Sequence, residues 1–270
     1  MAIRIYDFEQ RSPEWEAARL GMVTASMVGR LVSIGPAPAE STDCPRCGAV
    51  AGGPCISMAQ KAPKPVIKPH EERALAAATL PPVYSPSTSD AAKRTIRTLV
   101  AERINGWPEP VFTNHDMMRG VLDEPVARKA YSDHFAPVRE VGFIVRDDWG
   151  FSIGYSPDGL VGDEGLLEIK SRRAASHLDS ILADEIPAEN MAQIQCGLLV
   201  SGRKWCDYVS FSGGMPLWPK RIYPDPDWQG AIVGTVQMFE ERAAEMITDY
   251  RAAVEGLPMT ERSVYDLEIE

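Results

Sequence analysis

The 270-residue sequence predicts an α/β sandwich, with strands flanked on both sides by helices. Short alternating apolar runs gather in the middle of the chain, between Val141 and Phe211. Helical apolar spacing precedes and follows them. One of the central runs, Leu166-Leu167-Glu168-Ile169-Lys170, also sets an acid and a lysine two residues apart.

In chain order, Ser12-Pro13-Glu14-Trp15 opens a helix: Ser12 caps it, and Pro13 takes the first helical position, where a missing N–H is harmless. Gly21 ends that helix and Thr24 caps the next, Thr24-Ala25-Ser26-Met27-Val28. From Pro36 to Pro86 the composition turns to Pro, Gly, Cys and Ala without sustained periodicity, which marks an insertion or linker. Ile96, Leu99, Val100 and Ile104 place a helix over Ser89 to Asn105, closed by Gly106. Asn114 to Phe135 is helical again, with Pro125 expected to begin a segment or kink it.

Val141 to Tyr155 alternates as a hairpin turning near Asp147-Asp148-Trp149-Gly150. A strand over Leu166 to Ser171, a helix over Ala188 to Val200, a strand over Lys204 to Phe211 and a long helix over Trp228 to Val254 complete the series. There is no internal repeat.

At 29.7 kDa and 44% hydrophobic residues, the chain forms one large domain, or one domain with an insertion. A net charge of -10 argues against a protein that coats nucleic acid indiscriminately, although a local basic track stays compatible with it. Arg4, Arg11, Arg19 and Arg30, or Lys93, Arg94, Arg97 and Arg103, supply either such a track or a solvated face. The first residues lack a signal-peptide core and no run reaches membrane-spanning length, so a soluble cytoplasmic protein without a membrane partner is expected.

Asp158, in the turn Ser156-Pro157-Asp158-Gly159, precedes Glu168 by nine intervening residues, and Lys170 follows at Glu-x-Lys spacing. On a strand Glu168 and Lys170 point together, while Leu167 and Ile169 enter the core. Two converging carboxylates need a cation, a shared proton or hydrogen bonds. Oxygen ligands of this kind suit Mg²⁺ or Mn²⁺, and a neighbouring lysine can hold or polarise the attacking water. The plainer alternative is a strand with a solvated, charged face.

Four pieces line up in order: Arg19-Leu20-Gly21 with Thr24-Ala25-Ser26; Arg119-Gly120 with Glu124; Asp158 with Glu168 and Lys170; and Met191-Ala192-Gln193-Ile194-Gln195. In this order the chain resembles the phage lambda exonuclease family, or YqaJ-type viral recombinases, of the PD-(D/E)xK nuclease superfamily. The resemblance implies a restriction-endonuclease-like core with a central mixed sheet. It divides the chain into residues 1–35 and 87–270 as nuclease and 36–86 as an inserted module.

By resemblance Asp158, Glu168 and the Ile169 backbone carbonyl hold metal, Lys170 is the catalytic lysine, and Glu124 and Gln193 complete the site. Two Mg²⁺ or Mn²⁺ ions per site are implied. Asn190 and Gly197 share the helical face of Gln193 and would border a substrate cleft. Arg19, Thr24 and Ser26 match the family's pocket for a terminal 5′-phosphate, and a helix N-terminus with hydroxyls and an arginine suits an anion. The implied activity is 5′-to-3′ digestion of linear double-stranded DNA, leaving 3′ single-stranded tails for recombination. A single-strand annealing protein is the implied partner, a homotrimer the implied assembly, and the host cytoplasm the location if the gene is phage-borne.

Cys44, Cys47, Cys55 and His70 supply four ligands suited to a tetrahedral structural Zn²⁺, in a form that resembles short zinc modules of actinobacterial phages. Lys61, Lys64, Lys68 and Arg73 near them would touch phosphates. Superfamily relatives with an iron-sulfur cluster use four cysteines, and this chain departs from that pattern. Cys196 is expected to be buried packing.

Two other readings stand beside the exonuclease. One is an endonuclease or repair nuclease on the same core. The other is a non-catalytic DNA-binding accessory, against which the intact Asp158, Glu168 and Lys170 set argues.

Overall fold

The computed structural model describes residues 3–57, 64–109 and 114–262. Strand β1 (Ile3–Tyr6) leads into helices α1 (Pro13–Arg19) and α2 (Ala25–Leu31). Strand β2 (Val32–Gly35), helix α3 (Glu71–Ala77) and strand β3 (Val83–Pro86) follow, then helices α4 (Asp90–Asn105) and α5 (His115–His134). The central strands are β4 (Val138–Arg139), β5 (Phe143–Arg146), β6 (Ile153–Tyr155), β7 (Gly159–Val161) and β8 (Gly165–Ser171). Helices α6 (Ala174–Ala183) and α7 (Ala188–Ser201), strands β9 (Trp205–Phe211) and β10 (Trp218–Ile222), and helix α8 (Pro226–Ala253) complete the described elements.

A central mixed sheet runs in the order β10-β9-β8-β7-β4, parallel between β8 and β9 and antiparallel elsewhere. A second, three-stranded antiparallel sheet runs in the order β1-β5-β6, with β5 and β6 buried and β1 an exposed edge. Strand β8 is buried on both faces, and that decides the layers. Leu166 joins the cluster formed with Ile194 and Leu198 of α7 and Val236 of α8, whereas Leu167 and Ile169 join Val209 of β9 and Ala127 and Tyr131 of α5. Each such side chain contributes roughly 1.5–3 kcal/mol. Glu168 and Lys170, in phase with Leu166, therefore turn toward α7.

Helices α1 and α4 end as their residues predict, whereas Thr24, expected to cap α2, stands at its N-cap without a side-chain cap bond, its Oγ1 lying 3.3 Å from Ser26 Oγ instead. Ser12 Oγ accepts the Trp15 N–H at 3.3 Å, Ser89 Oγ accepts that of Ala92 at 3.2 Å, and Gly106 leaves α4 at φ 69°. Helix α5 differs from expectation by running as one helix of 20 residues with Pro125 inside it. An interior proline costs about 3 kcal/mol, and the burial of Ala127 and Tyr131 against the sheet offsets it.

Helix α6 is absent from the sequence reading because its polarity is inverted. His177 and Ser180 are its buried residues, whereas Leu178 and Leu182 are exposed. His177 is held by Ser210 Oγ at 2.7 Å from Nδ1 and by the Pro216 carbonyl at 3.0 Å from Nε2.

The Cys-rich stretch leaves and returns through the antiparallel β2–β3 pair, in which Gly35 lies opposite Val83. Tyr84 of β3 packs on Trp228 of α8 with ring centroids 4.7 Å apart, so this stem is fixed to the closing helix. No described helix is long and apolar enough to cross a membrane.

Gly142 lets two segments meet: its N–H donates to the Tyr6 carbonyl at 2.9 Å, and a Cβ there would lie 2.0 Å from the Phe8 carbonyl oxygen. Gly142→Ala is expected to lower the unfolding free energy by about 1–3 kcal/mol or more, measured by urea denaturation. Gly213→Ala, where a Cβ meets nothing within 4 Å, should leave the midpoint unchanged.

Candidate active site

The fold brings Asp158, Glu168, Lys170 and Gln193 together from the β6–β7 turn, β8 and α7. Glu168 is fully buried, and three donors neutralise it. Lys170 Nζ donates to Oε1 at 2.6 Å, Gln193 Nε2 donates to the same oxygen at 2.5 Å, and Tyr155 Oη donates to Oε2 at 3.1 Å. Lys170 also donates to Gln193 Oε1 at 3.2 Å, so the amide sits with its NH₂ toward the carboxylate and its oxygen toward the ammonium.

Asp158 is half-buried and accepts the Ile169 N–H on Oδ2 at 2.6 Å. Its turn is clamped from three sides. Gln10 Nε2 donates to the Pro157 carbonyl at 2.9 Å, Trp15 Nε1 to Ser156 Oγ at 2.9 Å, and Arg128 Nε to the Asp158 carbonyl at 2.6 Å. Glu124, in the middle of α5, pairs with Arg128 and stands 4.0 Å from Arg11. Glu124, Arg128, Arg11, Gln10 and Asp158 line a cavity of about 470 Å³.

Burial first, and the neighbouring Glu168 second, push the Asp158 carboxyl well above its ordinary range. Burial likewise raises Glu124, against the pull of Arg128 and Arg11. For Lys170 burial disfavours the charge, but Glu168 and Asp158 more than offset it and hold the ammonium protonated. The lysine therefore acts as a donor. Tyr155 is raised by burial and by the adjacent carboxylates.

Thr24 Oγ1 and Ser26 Oγ lie 3.3 Å apart at the start of α2, Thr24 buried and Ser26 exposed. Arg19 lies over the Trp15 ring at 3.7 Å, and no hydrogen bond joins it to either hydroxyl among the described residues. Burial lowers Arg19 to about 10, opposed by Glu102 and Glu16. Gly197 does not border a cleft: it packs against Tyr155, whose ring a Cβ would meet at 2.7 Å. Asn190 is buried and accepts from Arg172. Of the basic residues expected to form a track, Arg103 is committed to Glu240 and to the Gly21 carbonyl.

Tyr155, Arg128, Trp15 and Gln10 were not singled out by the sequence. Arg128 had a legible signal, its i,i+4 spacing from Glu124. The other three act across more than ten positions of chain and carried none.

The ligand atoms of Cys44, Cys47, Cys55 and His70 all lie within 4.8 Å of one another, the one such group among the described residues. The carboxylates Glu124, Asp158 and Glu168 are not drawn together to that extent; Lys170 pairs with Glu168 and Arg128 with Glu124. Burial raises the Cys44 thiol, whereas the Ile56 N–H, 3.5 Å away, leads in lowering Cys47 to about 6. Arg73 is not free to touch phosphate. It is fully buried and donates to the carbonyls of Thr42, Gly53 and Val50 at 2.9, 2.7 and 2.9 Å. Lys64 and Lys68 are exposed, and Lys61 lies outside the described residues. Cys196 is fully buried.

Residues 82–204 match the YqaJ-like viral recombinase domain, and residues 10–89 match the "Putative DNA-binding phage zinc finger domain". The second match reaches upstream of the cysteines, across α1 and α2. The fold is similar to the crystal structure of the alkaline exonuclease LHK-Exo from Laribacter hongkongensis: TM-score 0.65, 25% identity, covering 92% of this chain and 100% of that one. A structure of LHK-Exo in complex with dAMP matches at 26% identity with the same TM-score of 0.65 and the same 92% and 100% coverage. No curated protein matches this chain.

The folded chain holds the Asp158 proton more tightly than the unfolded chain does. That carboxyl therefore stabilises the fold fully below its ordinary value of 3.8, and the contribution is lost as pH rises through the raised value. In metal-free protein near neutral pH, Asp158→Asn is expected to raise the melting temperature by about 2–4 °C, roughly 1 kcal/mol at this chain length. Mg²⁺ should raise the melting temperature of the parent and not of the variant, as read by thermal melts at several pH values.

Proposed function

We propose that this chain, which carries a YqaJ-like viral recombinase domain and a phage zinc-binding domain, is a divalent-metal-dependent DNA exonuclease. The observation that carries the reading is the buried Glu168 tied to Lys170 and Gln193, with Asp158 held to the same strand through the Ile169 N–H. Hard oxygen donors in a pair that burial makes costly to ionise fit Mg²⁺ or Mn²⁺. Asp158, Glu168 and the Ile169 carbonyl would hold the ions, two per site.

A bound divalent cation supplies a lowered water pKa and charge stabilisation at the leaving oxygen. The chain's own residues do the rest. Lys170, fixed by Glu168 and Gln193, presents a charged donor to the attacking water or the scissile phosphate. Gln193 fixes the direction of that ammonium, and Tyr155 holds the other Glu168 oxygen so that the carboxylate cannot rotate. Glu124, paired with Arg128, lines the cavity together with Asp158.

The finer reading is 5′-to-3′ digestion of linear duplex DNA, leaving a 3′ single-stranded tail for an annealing protein. Arg19, Thr24 and Ser26 would take the terminal 5′-phosphate, and a homotrimer follows from the family resemblance. Residues 36–86 would form a separate module holding structural Zn²⁺ at Cys44, Cys47, Cys55 and His70. Ligand sulfurs about 3.8 Å apart suit a tetrahedral ion with Zn–S near 2.3 Å, compatible with the clustering here.

With Mg²⁺, the protein should degrade linear duplex DNA, faster with a 5′-phosphate than with a 5′-hydroxyl, and spare covalently closed circles. Lys170→Ala should reduce turnover by at least about 100-fold, given the usual worth of a positioned donor, while DNA binding persists. Efficient nicking of closed circles would make it an endonuclease, and full turnover without Lys170 would sink the assignment. Purified protein should also contain about one zinc per chain, lost in Cys44→Ser with Cys47→Ser. Folded, metal-free parent would refute the zinc site.

A further inference from the structure

We infer that Arg11 is a substrate-contacting residue that grips a phosphate at the mouth of the active-site cavity. The inference rests on the nuclease reading and adds a residue to it. Arg11 sits in a turn closed by the Ser12 N–H donating to the Glu9 carbonyl at 3.1 Å, with φ of +72°. That is the third position of a turn whose backbone glycine adopts freely and other side chains adopt at a penalty. Among the described residues, Arg11 and Asp184 are the non-glycine positions with positive φ. A residue kept in such a conformation beside an active site points to a use for its side chain.

The surroundings identify the use. Two arginines line the cavity with Glu124 and Asp158. Arg128 is saturated: it donates to the Asp158 carbonyl and pairs with Glu124 and Glu140. Among the described residues Arg11 has one loose approach, to Glu124 at 4.0 Å, and its side chain is 54% exposed. Its guanidinium therefore keeps donors for an incoming anion. The fork geometry suits a phosphate, and its charge offsets that of Glu124 and Asp158, which would otherwise repel one. The turn also caps α1 through Ser12 and carries Gln10, so Arg11 is aimed by the same segment that fixes the Asp158 turn.

The decisive variant is Arg11→Gly, which removes the guanidinium and relaxes the backbone. Full-length protein is assayed with Mg²⁺ on linear duplex DNA, and 5′-dAMP and deoxyadenosine binding are measured by calorimetry with Ca²⁺. Arg11→Gly should lower kcat/KM and 5′-dAMP affinity by about 10–100-fold, the worth of a charge-assisted hydrogen bond, with a melting temperature no lower than the parent's. Deoxyadenosine binding should not change, and Arg11→Lys should retain more activity than Arg11→Gly. Parent-like kcat/KM and 5′-dAMP binding in Arg11→Gly overturn the assignment. So does a loss that comes with a lowered melting temperature, or one equal in Arg11→Lys. A parent that binds 5′-dAMP through Arg11 yet cuts no DNA overturns only the nuclease reading.

Discussion

A fully buried glutamate in the middle of a sheet organises this molecule. Glu168 cannot stand alone there, because an isolated buried carboxylate costs several kcal/mol. Strand β8 supplies Lys170, α7 supplies Gln193, and β6 supplies Tyr155. Each donor is placed by a different layer, so the register of β8 against β9, the seating of α7 and the approach of β6 all converge on two oxygen atoms. Gly197 belongs to the same arrangement, since only a residue without a Cβ lets the Tyr155 ring lie against α7.

The second constraint is the Asp158 turn, which has no regular structure of its own to hold it. It is held instead by side chains from distant segments: Gln10 and Trp15 from the N-terminal region, and Arg128 from α5. Gly142 admits the Phe8 backbone into contact, and that approach is what brings Gln10 and Trp15 within reach. Arg19 stacks on the same Trp15, so the residues assigned to the terminal phosphate and the turn that bears Asp158 share one indole.

In the Cys-rich segment a buried cation takes the place of an apolar core. Arg73 gathers three loop carbonyls and reaches Cys55 Sγ at 3.6 Å, which orders a stretch too poor in large apolar residues to order itself. Among the described residues it is the largest fully buried side chain. The β2–β3 stem and the Tyr84–Trp228 contact then fix where the segment begins and ends on the main body.

The elements with intact local signals were legible from the residues: capped α1 and α4, the β5–β6 hairpin, β8, α7, β9 and α8. So were Asp158, Glu168, Lys170 and the Cys44, Cys47, Cys55 and His70 set, because their spacing is itself chemistry. Helix α6 was hidden by burying His177 and Ser180 while exposing its leucines, whereas α5 was legible as a helix and only its continuity through Pro125, which tertiary packing imposes, was not. Sequence alone therefore determined which carboxylates, lysine and thiols the chain owns and which face of β8 they share, since strand alternation is local. Only the tertiary structure decided what neutralises Glu168, what clamps the Asp158 turn, that Arg73 is buried and that Arg11 faces the cavity. Those contacts join segments that carry no mark of one another and meet because burying the two faces of β8 leaves them nowhere else to pack.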